Sequence, residues 1–474
     1  MLFNSFLFAN FFIIVFCLYL CLNHRWQNRM LLFASYFFYG TWDYRFLSLI
    51  IFSTIVDYYC GIAIYKLKDI KRKKIFLSLS IITNLSILGL FKYYNFFLAN
   101  LQLLLSDMGL SFNPNLLQII LPVGISFYTF QSMSYTIDIY QRKMNPTNRF
   151  LEFALFVAFF PQLVAGPIER AKHLLPQIHN QRKITFDSLI EGLYLIFWGL
   201  FLKSFIADNL GVHIVDPIFQ SNTTYNGTKV LIALYAFSFQ IFCDFAGYSN
   251  IARGLAKCMG FNLNINFNLP YFSTNPKIFW QRWHISLSRW LKDYLYIPLG
   301  GNKNGTIKTY RNLFITMLLG GLWHGAAWTY LIWGAYHGIL LITHRIINLL
   351  FPNIKQLKID FLHKSWTFIK MIVFFHLICI GWLIFRSNSL TQAYQMFSSI
   401  FNNFEFSLKG IGLKTMVFYL WILIPIQVLQ YKNNNLLAIF TFKPIIQVFL
   451  YLIIFYALML FGVTEKNEFI YFQF

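Results

Sequence analysis

From Asn312 to Thr343 the chain runs for more than thirty residues without an Asp, Glu, Lys or Arg. About 20 mostly apolar residues suffice to cross the hydrocarbon of a bilayer as a helix. Further apolar stretches fall at 2–22, 30–42, 46–65, 75–99, 116–140, 150–168, 187–207, 230–258, 366–386, 412–430 and 444–464. The pattern predicts an all-α polytopic membrane protein of about ten to twelve transmembrane helices, with re-entrant or interfacial helices besides. Composition agrees. Charged residues make up 12% of the chain, against about 25% in soluble proteins, so a soluble enzyme is excluded. Aromatic residues make up 20%, which excludes a disordered chain.

The formal net charge is +22, from 39 Lys and Arg against 17 Asp and Glu. In a soluble protein this excess would point to nucleic acid. In a membrane protein it first reads as retention of cations on the cytoplasmic side, so nucleic acid is not an expected partner and membrane lipid is. An anionic-substrate site can coexist with that bias. Lys66, Lys68, Lys71, Arg72, Lys73 and Lys74 crowd one short loop, which is expected to be cytoplasmic; the loops near 100–115 and 208–229 carry few cations and are expected outside. Glycosylation-type triplets at Asn222 and Asn226 in the second of these carry no weight. The opening stretch to Arg25 has no basic region before its apolar run and no small-residue cleavage site, so it reads as a first transmembrane helix. The segment 150–168 has Arg142, Lys143 and Arg149 before it and Arg170, Lys172, Arg182 and Lys183 after it. A single crossing would export one cluster, so a re-entrant or interfacial path is expected, and Pro161, Gly166 and Pro167 favour a broken helix.

The stretch 260–311 stands apart from the spans. It carries Lys277, Arg282, Arg289, Lys292, Lys303, Lys308 and Arg311 against Asp293, interleaved with Trp280, Trp283, Trp290, Tyr294 and Tyr296. Phe279, Trp283, Leu287 and Trp290 recur at helical spacing. That pattern predicts an amphipathic helix lying in the membrane interface, its basic face toward headgroups or an anionic ligand. With no internal repeat or linker in view, residues 1–474 read as one membrane domain containing this non-spanning segment.

Ten histidines are present. His24, His173, His179, His344 and His363 lie in or near basic loops, His213 in an expected outer loop, and His376 in an apolar run that reads as packed core. His337 reads as structural and His284, taken alone, as an interfacial residue. His324 differs, because it sits in the uncharged run, in GLWHGAAW, between glycines that permit a helix break. An ionisable group at membrane depth is a functional candidate by default, and desolvation favours the neutral imidazole that a general base needs. An interhelical hydrogen bond is the alternative. Asp57, Asp138 and Asp244 read as helix-packing hydrogen-bond residues. The six cysteines form no metal-ligand or disulfide pattern, and no metal is expected. Gly300 to Thr306 lacks the lysine of a phosphate loop, and no G-x-S-x-G or H-E-x-x-H motif occurs.

The runs RWHISLSRWLKDYLYIPLGG (282–301) and GLWHGAAWTYLIWGAYHG (321–338) resemble the membrane-bound O-acyltransferase family, nearest to its bacterial alginate O-acetylation branch. SFYTFQSMSYTIDIY (126–140), FFPQLVAGPIER (159–170), FCDFAGYSNIARG (242–254) and FIYFQF (469–474) extend the resemblance along the chain. Lys292 and Gln141 replace arginines usual in that pattern. The resemblance implies a ring of tilted helices around a thin centre, with a central tunnel reached by funnels from both faces. It implies that His324 is the catalytic histidine and His284 its companion, with Arg282, Trp283, Ser286, Arg289, Trp323 and Gly325 as candidate substrate-contacting neighbours. It further implies an acetyl donor in the cytoplasm, acetyl-CoA, with no bound cofactor. It implies a cell-envelope or exported polysaccharide as acceptor, a serine-esterase-like partner outside, and residence in the bacterial cytoplasmic membrane. His324 would act as general base and His284 would orient the carbonyl or stabilise the oxyanion. A related activity, D-alanyl transfer to teichoic acid, and two other classes, a polysaccharide transporter or flippase and a docking scaffold, compete with this reading.

Overall fold

The computed structural model describes residues 1–117, 120–164, 166–221, 225–351, 360–405, 411–463 and 469–470. These are helical and connecting segments, with no strand among the described residues. The chain divides into two compact units, Met1–Ile196 with Ser249–Asn264, and Phe197–Tyr248 with Ile265–Phe474.

The first unit opens with α1 (Phe6–Cys21), whose Phe8 N–H is accepted by the Ser5 hydroxyl, an ordinary N-cap. Asn23 caps α2 (His24–Asp43) in the same way. A short turn leads into α3 (Leu47–Lys66), and the helical run His24–Lys66 is long and apolar enough to cross a membrane. Asp69 then caps α4 (Ile70–Leu88). Lys71, Arg72, Lys73 and Lys74 fill its first turn, where the helix dipole disfavours cations, and Lys71, Arg72 and Lys74 are exposed.

Between α3, α4 and α5 (Ile125–Tyr140) lies a buried polar knot. Asp57 accepts from Ser80 Oγ at 2.5 Å and from Asn84 Nδ2 at 2.9 and 3.1 Å. Ser53 and Ser132 donate in turn to Asn84 Oδ1. The expectation of a helix-packing role for Asp57 matches this arrangement. Over 150–168 the backbone is broken: α6 (Phe150–Ala158) ends at Phe159, and a single turn Phe160–Leu163 follows. Ala165 lies outside the described residues. α7 (Ala171–His179) follows beyond Arg170.

The unit boundary falls inside α8 (Phe186–Leu200) and α9 (Gly227–Cys258). α8 continues through a π-helical stretch, Phe201–Ala207, and stays helical to Phe219. This corrects the expected loop at 208–229: its opening part, from Asp208 through His213 to Phe219, is helical. Asp208 and Asn209 are polar, yet both are buried. The triplet at Asn222 lies outside the described residues.

In the second unit α10 (Pro276–Arg282) and α11 (Ile285–Leu291) precede α12 (Thr306–His324) and α13 (Trp328–Leu350). After α14 (Asp360–Arg386) and α15 (Leu390–Asn402) come α16 (Ile411–Leu420) and α17 (Leu423–Asn433), bent by 45° at their junction, and then α18 (Pro444–Phe461). The side chain of His363 lies outside the described residues. His376 is exposed on α14, its Nε2 2.8 Å from the Tyr235 hydroxyl, which corrects its reading as core. Six helical runs among the described residues are long and apolar enough to span, or seven with the bent pair. That is fewer than the apolar stretches counted in sequence, because stretches such as 150–168 and 312–343 are broken rather than continuous. Exposed Ile445, Val448, Phe449 and Met459 on α18 suit a lipid-facing surface, since lipid imposes no penalty on apolar side chains.

Candidate active site

The uncharged run breaks where its glycines permit. α12 ends at His324, Gly325 is extended at φ −166°, and α13 begins at Trp328. The two helices pack closely along small residues: a Cβ at Gly321 would collide with the Tyr330 carbonyl oxygen, and one at Gly334 with that of Met317. Gly325 is just as constrained, since a Cβ there would run into the Tyr330 ring. His324 is thereby held at a helix end, 3% exposed, with rings of Trp323, Trp333 and Phe385 at 5.1, 5.0 and 5.5 Å.

His284 reaches the same place from a separate segment. The predicted single interfacial helix is instead two short ones, α10 and α11, and His284 is the junction. Its φ of 40° is left-handed, a conformation that strains any residue with a side chain by about 1–3 kcal/mol. Neighbouring bonds hold it. Ile285 N–H donates to the Asn266 carbonyl at 2.9 Å, Ser286 Oγ to Asn266 Oδ1 at 2.7 Å, and Asn268 N–H to the Arg282 carbonyl at 2.9 Å. Of the aromatic residues expected at headgroup level, Trp283, Trp290 and Tyr294 turn inward and are buried, as are Phe279 and His284, while Trp280 and Tyr296 are half-buried. The reason is the break itself, because two short helices at an angle can fold their common apolar stripe into the protein.

The His284 and His324 ring centroids stand 6.4 Å apart. Trp323 lies against both, at 5.6 Å from His284 and 5.1 Å from His324. Burial alone pushes the His284 imidazole, which lies outside the spanning helices, down to about 3, so it is neutral at ordinary pH. A buried neutral imidazole beside a second one, walled by aromatic rings, can accept a proton and hold a carbonyl in a site that excludes water.

The other candidates divide. Trp323 and Gly325 adjoin His324. Trp283 packs between Phe279 and Trp382, at 5.6 and 4.8 Å. Ser286 is committed to Asn266. Arg282 donates to the carbonyls of Leu269 and Phe272 at 3.4 and 3.3 Å, while Arg289 is exposed and the structure does not bring it to the histidines. Trp333 and Phe385 have no distinctive signal in a chain whose apolar runs are aromatic throughout, and both emerge as walls of the site only from the helix packing.

A cavity of about 750 Å³ adjoins Trp280 and is lined by neither His284 nor His324. Lys277, Lys292, Arg345 and His344 stand among its lining residues, which include no acid; Leu313, Met317, Leu341 and Trp280 supply apolar wall. Trp280 lies 5.8 Å from Trp333, which in turn touches His324. His337 sits between them, 5.1 Å from Trp280 and 4.7 Å from Trp333. Among the described residues, no three His, Cys, Asp or Glu side chains converge to hold a metal.

Residues 147–387, which include both histidines, match the model of the membrane-bound O-acyltransferase family. The probable alginate O-acetylase AlgI of Pseudomonas syringae pv. tomato is 42% identical over 418 residues, 87% of this chain and 77% of the relative. The peptidoglycan O-acetyltransferase of Helicobacter pylori is 36% identical over 397 residues, 78% of this chain and 73% of the relative. The teichoic acid D-alanyltransferase of Bacillus subtilis is 31% identical over 278 residues, 56% of this chain and 68% of the relative.

Proposed function

Because the chain belongs to the membrane-bound O-acyltransferase family, and is therefore a multi-pass membrane O-acyltransferase, we propose that it O-acetylates a cell-envelope or exported polysaccharide, with acetyl-CoA as donor and His324 as general base. One observation carries the reading: two segments that are separate in sequence put His284 and His324 6.4 Å apart in a buried aromatic enclosure. The names of relatives that acetylate alginate and peptidoglycan support the acceptor class.

In the proposed step the acceptor hydroxyl gives its proton to the His324 imidazole as its oxygen attacks the thioester carbon. The tetrahedral intermediate expels the thiolate as the C–S bond breaks, and the imidazolium returns the proton to sulfur. The products are one ester and one thiol. General-base help of this kind contributes about 10²–10⁴-fold. His284 orients the carbonyl or stabilises the oxyanion from the other side. The cavity with Lys277, Lys292 and Arg345 receives the phosphate-bearing part of the donor, since a cation-lined cleft concentrates anionic ligands. The positive-inside bias of the chain supports insertion in the bacterial cytoplasmic membrane. The acceptor hydroxyl in the proposed step belongs to the glycan itself or to a serine-esterase-like partner outside that passes the acetyl group on to the glycan.

The test uses the full chain in proteoliposomes, with acetyl-labelled acetyl-CoA inside and a hydroxyl-bearing polysaccharide such as alginate as acceptor outside, and follows free CoA and the label. Turnover by the wild type and its loss in His324→Ala are expected. Turnover by His324→Ala at the wild-type rate would sink the mechanism. Movement of intact sugar without label transfer would establish a transporter instead, and failure with acetyl-CoA together with transfer of labelled D-alanine from a charged carrier protein would move the chain to the alanyl branch.

A further inference from the structure

A buried ionic cluster lies beside the histidines, and the reaction does not use it. Lys203, on the π-helical stretch after α8, places Nζ 2.8 Å from Asp208 Oδ1 and 2.6 Å from Asp244 Oδ1. All three side chains are at most 5% exposed. Charged groups inside spanning helices are costly, and an apolar replacement of similar volume often serves stability as well or better. The cluster therefore asks for a further role. The other Asp244 oxygen, Oδ2, accepts the Ile470 N–H at 2.8 Å. A carboxylate held by an ammonium is a strong, fixed acceptor for one backbone N–H, so it sets the register of the segment that carries Ile470.

That register puts Phe469 behind the site. Phe469 is fully buried, with its ring 4.6 Å from Tyr248 and 5.5 Å from Phe245. Phe245, the next residue after Asp244, meets His284 edge-on at 4.6 Å. One stretch of α9 thus anchors the segment by its carboxylate and transmits its packing by its ring. His284 needs such support, because its left-handed backbone is not a resting conformation for a residue with a side chain.

We propose that Phe469, seated by the Lys203–Asp208–Asp244 cluster, is a positioning residue that acts through Phe245 to hold the His284 ring facing His324. The proposal rests on the catalytic reading of the two histidines. It implies that removing the ring loosens the catalytic geometry while leaving the donor cavity intact.

The test compares full-length wild type, Phe469→Ala, Phe469→Leu and His324→Ala in proteoliposomes with acetyl-CoA inside and the polysaccharide acceptor outside, normalised to folded protein by size exclusion and thermal melting in detergent. Phe469→Ala is expected to lower kcat about 10-fold, since small misplacements of catalytic groups have effects of this order or larger. KM for acetyl-CoA should stay within about twofold, because the donor cavity is untouched. Phe469→Leu, which keeps the apolar bulk, should recover most of the lost kcat. Wild-type kcat per folded molecule in Phe469→Ala would overturn the proposal, and so would a loss of kcat and KM together that Leu does not rescue. Turnover by His324→Ala would instead sink the catalytic reading beneath it.

Discussion

His284 and His324 stand 6.4 Å apart, and Trp323 packs against both rings. One histidine terminates a helix and the other occupies a left-handed junction between two short helices. Their environments separate their roles. Burial holds the His284 imidazole down at about 3, so it stays neutral across the working range. An acidic limb of kcat/KM is then expected to belong to the base, His324, with the rate falling as pH drops and the imidazole is protonated. His284→Gln should lower kcat about 10²-fold and leave the midpoint of that limb in place. Disappearance of the limb in His284→Gln would reverse the assignment. The same depressed value has a stability consequence. The unfolded chain binds a proton at His284 near 6.5 that the folded chain refuses until about 3, so stability is complete above 6.5 and falls as pH descends through that window.

Lys203 is the sole cation in contact with two buried carboxylates, Asp208 and Asp244, among the described residues. Lys203→Met should therefore destabilise the protein by about 3–5 kcal/mol, because it strands two buried charges. The triple substitution Lys203→Met, Asp208→Asn and Asp244→Asn should recover a large part of that loss. Thermal melting in detergent measures both. A single Lys203→Met variant that melts with the wild type would remove the ion cluster from any account of stability.

Gly321 makes the α12–α13 contact possible. An added Cβ would collide with the Tyr330 carbonyl oxygen and fall 3.0 Å from Gly334 Cα, which are backbone atoms that cannot rotate away. Gly321→Ala must part the helices, at about 1–3 kcal/mol. Because α12 ends at His324, kcat should fall along with the melting temperature. Gly89→Ala, with open space around the added carbon, provides the control and should change neither.

How much of this is legible in the residues differs from element to element. The helix break at His324 follows from its flanking glycines, and the helix-packing role of Asp57 follows from a carboxylate in an apolar run. The convergence of His284 with His324 does not follow from periodicity, which lays 279–290 in the interface as one helix; only the resemblance to an acyltransferase family pairs the two. The helical continuation to Phe219 escapes a hydropathy reading, because hydropathy scores residues singly. The apolar stretch ends in sequence at Asp208, whose charge is met in the structure by Lys203. The reading of His376 as core fails for the converse reason: an apolar neighbourhood marks core in water, but in a membrane helix it marks the lipid face equally well.

The donor cavity yields the last expectation. Lys277 and Lys292 are exposed at its rim, and Arg345 lies on its wall. If these cations draw the phosphates of acetyl-CoA, they act on binding and not on the chemical step. Replacing Lys277 and Lys292 together by Gln should raise KM for acetyl-CoA about 10-fold with kcat nearly constant. The effect should shrink as salt is added, because exposed charges are screened beyond about 10 Å at 0.1 M. Acetyl-pantetheine, which carries the same thioester without phosphates, supplies the decisive comparison. Its KM should be the same in the double variant as in the wild type. An equal rise in KM for both donors would place the lysines in the scaffold of the cavity, and an unchanged KM for acetyl-CoA would assign them to lipid headgroups.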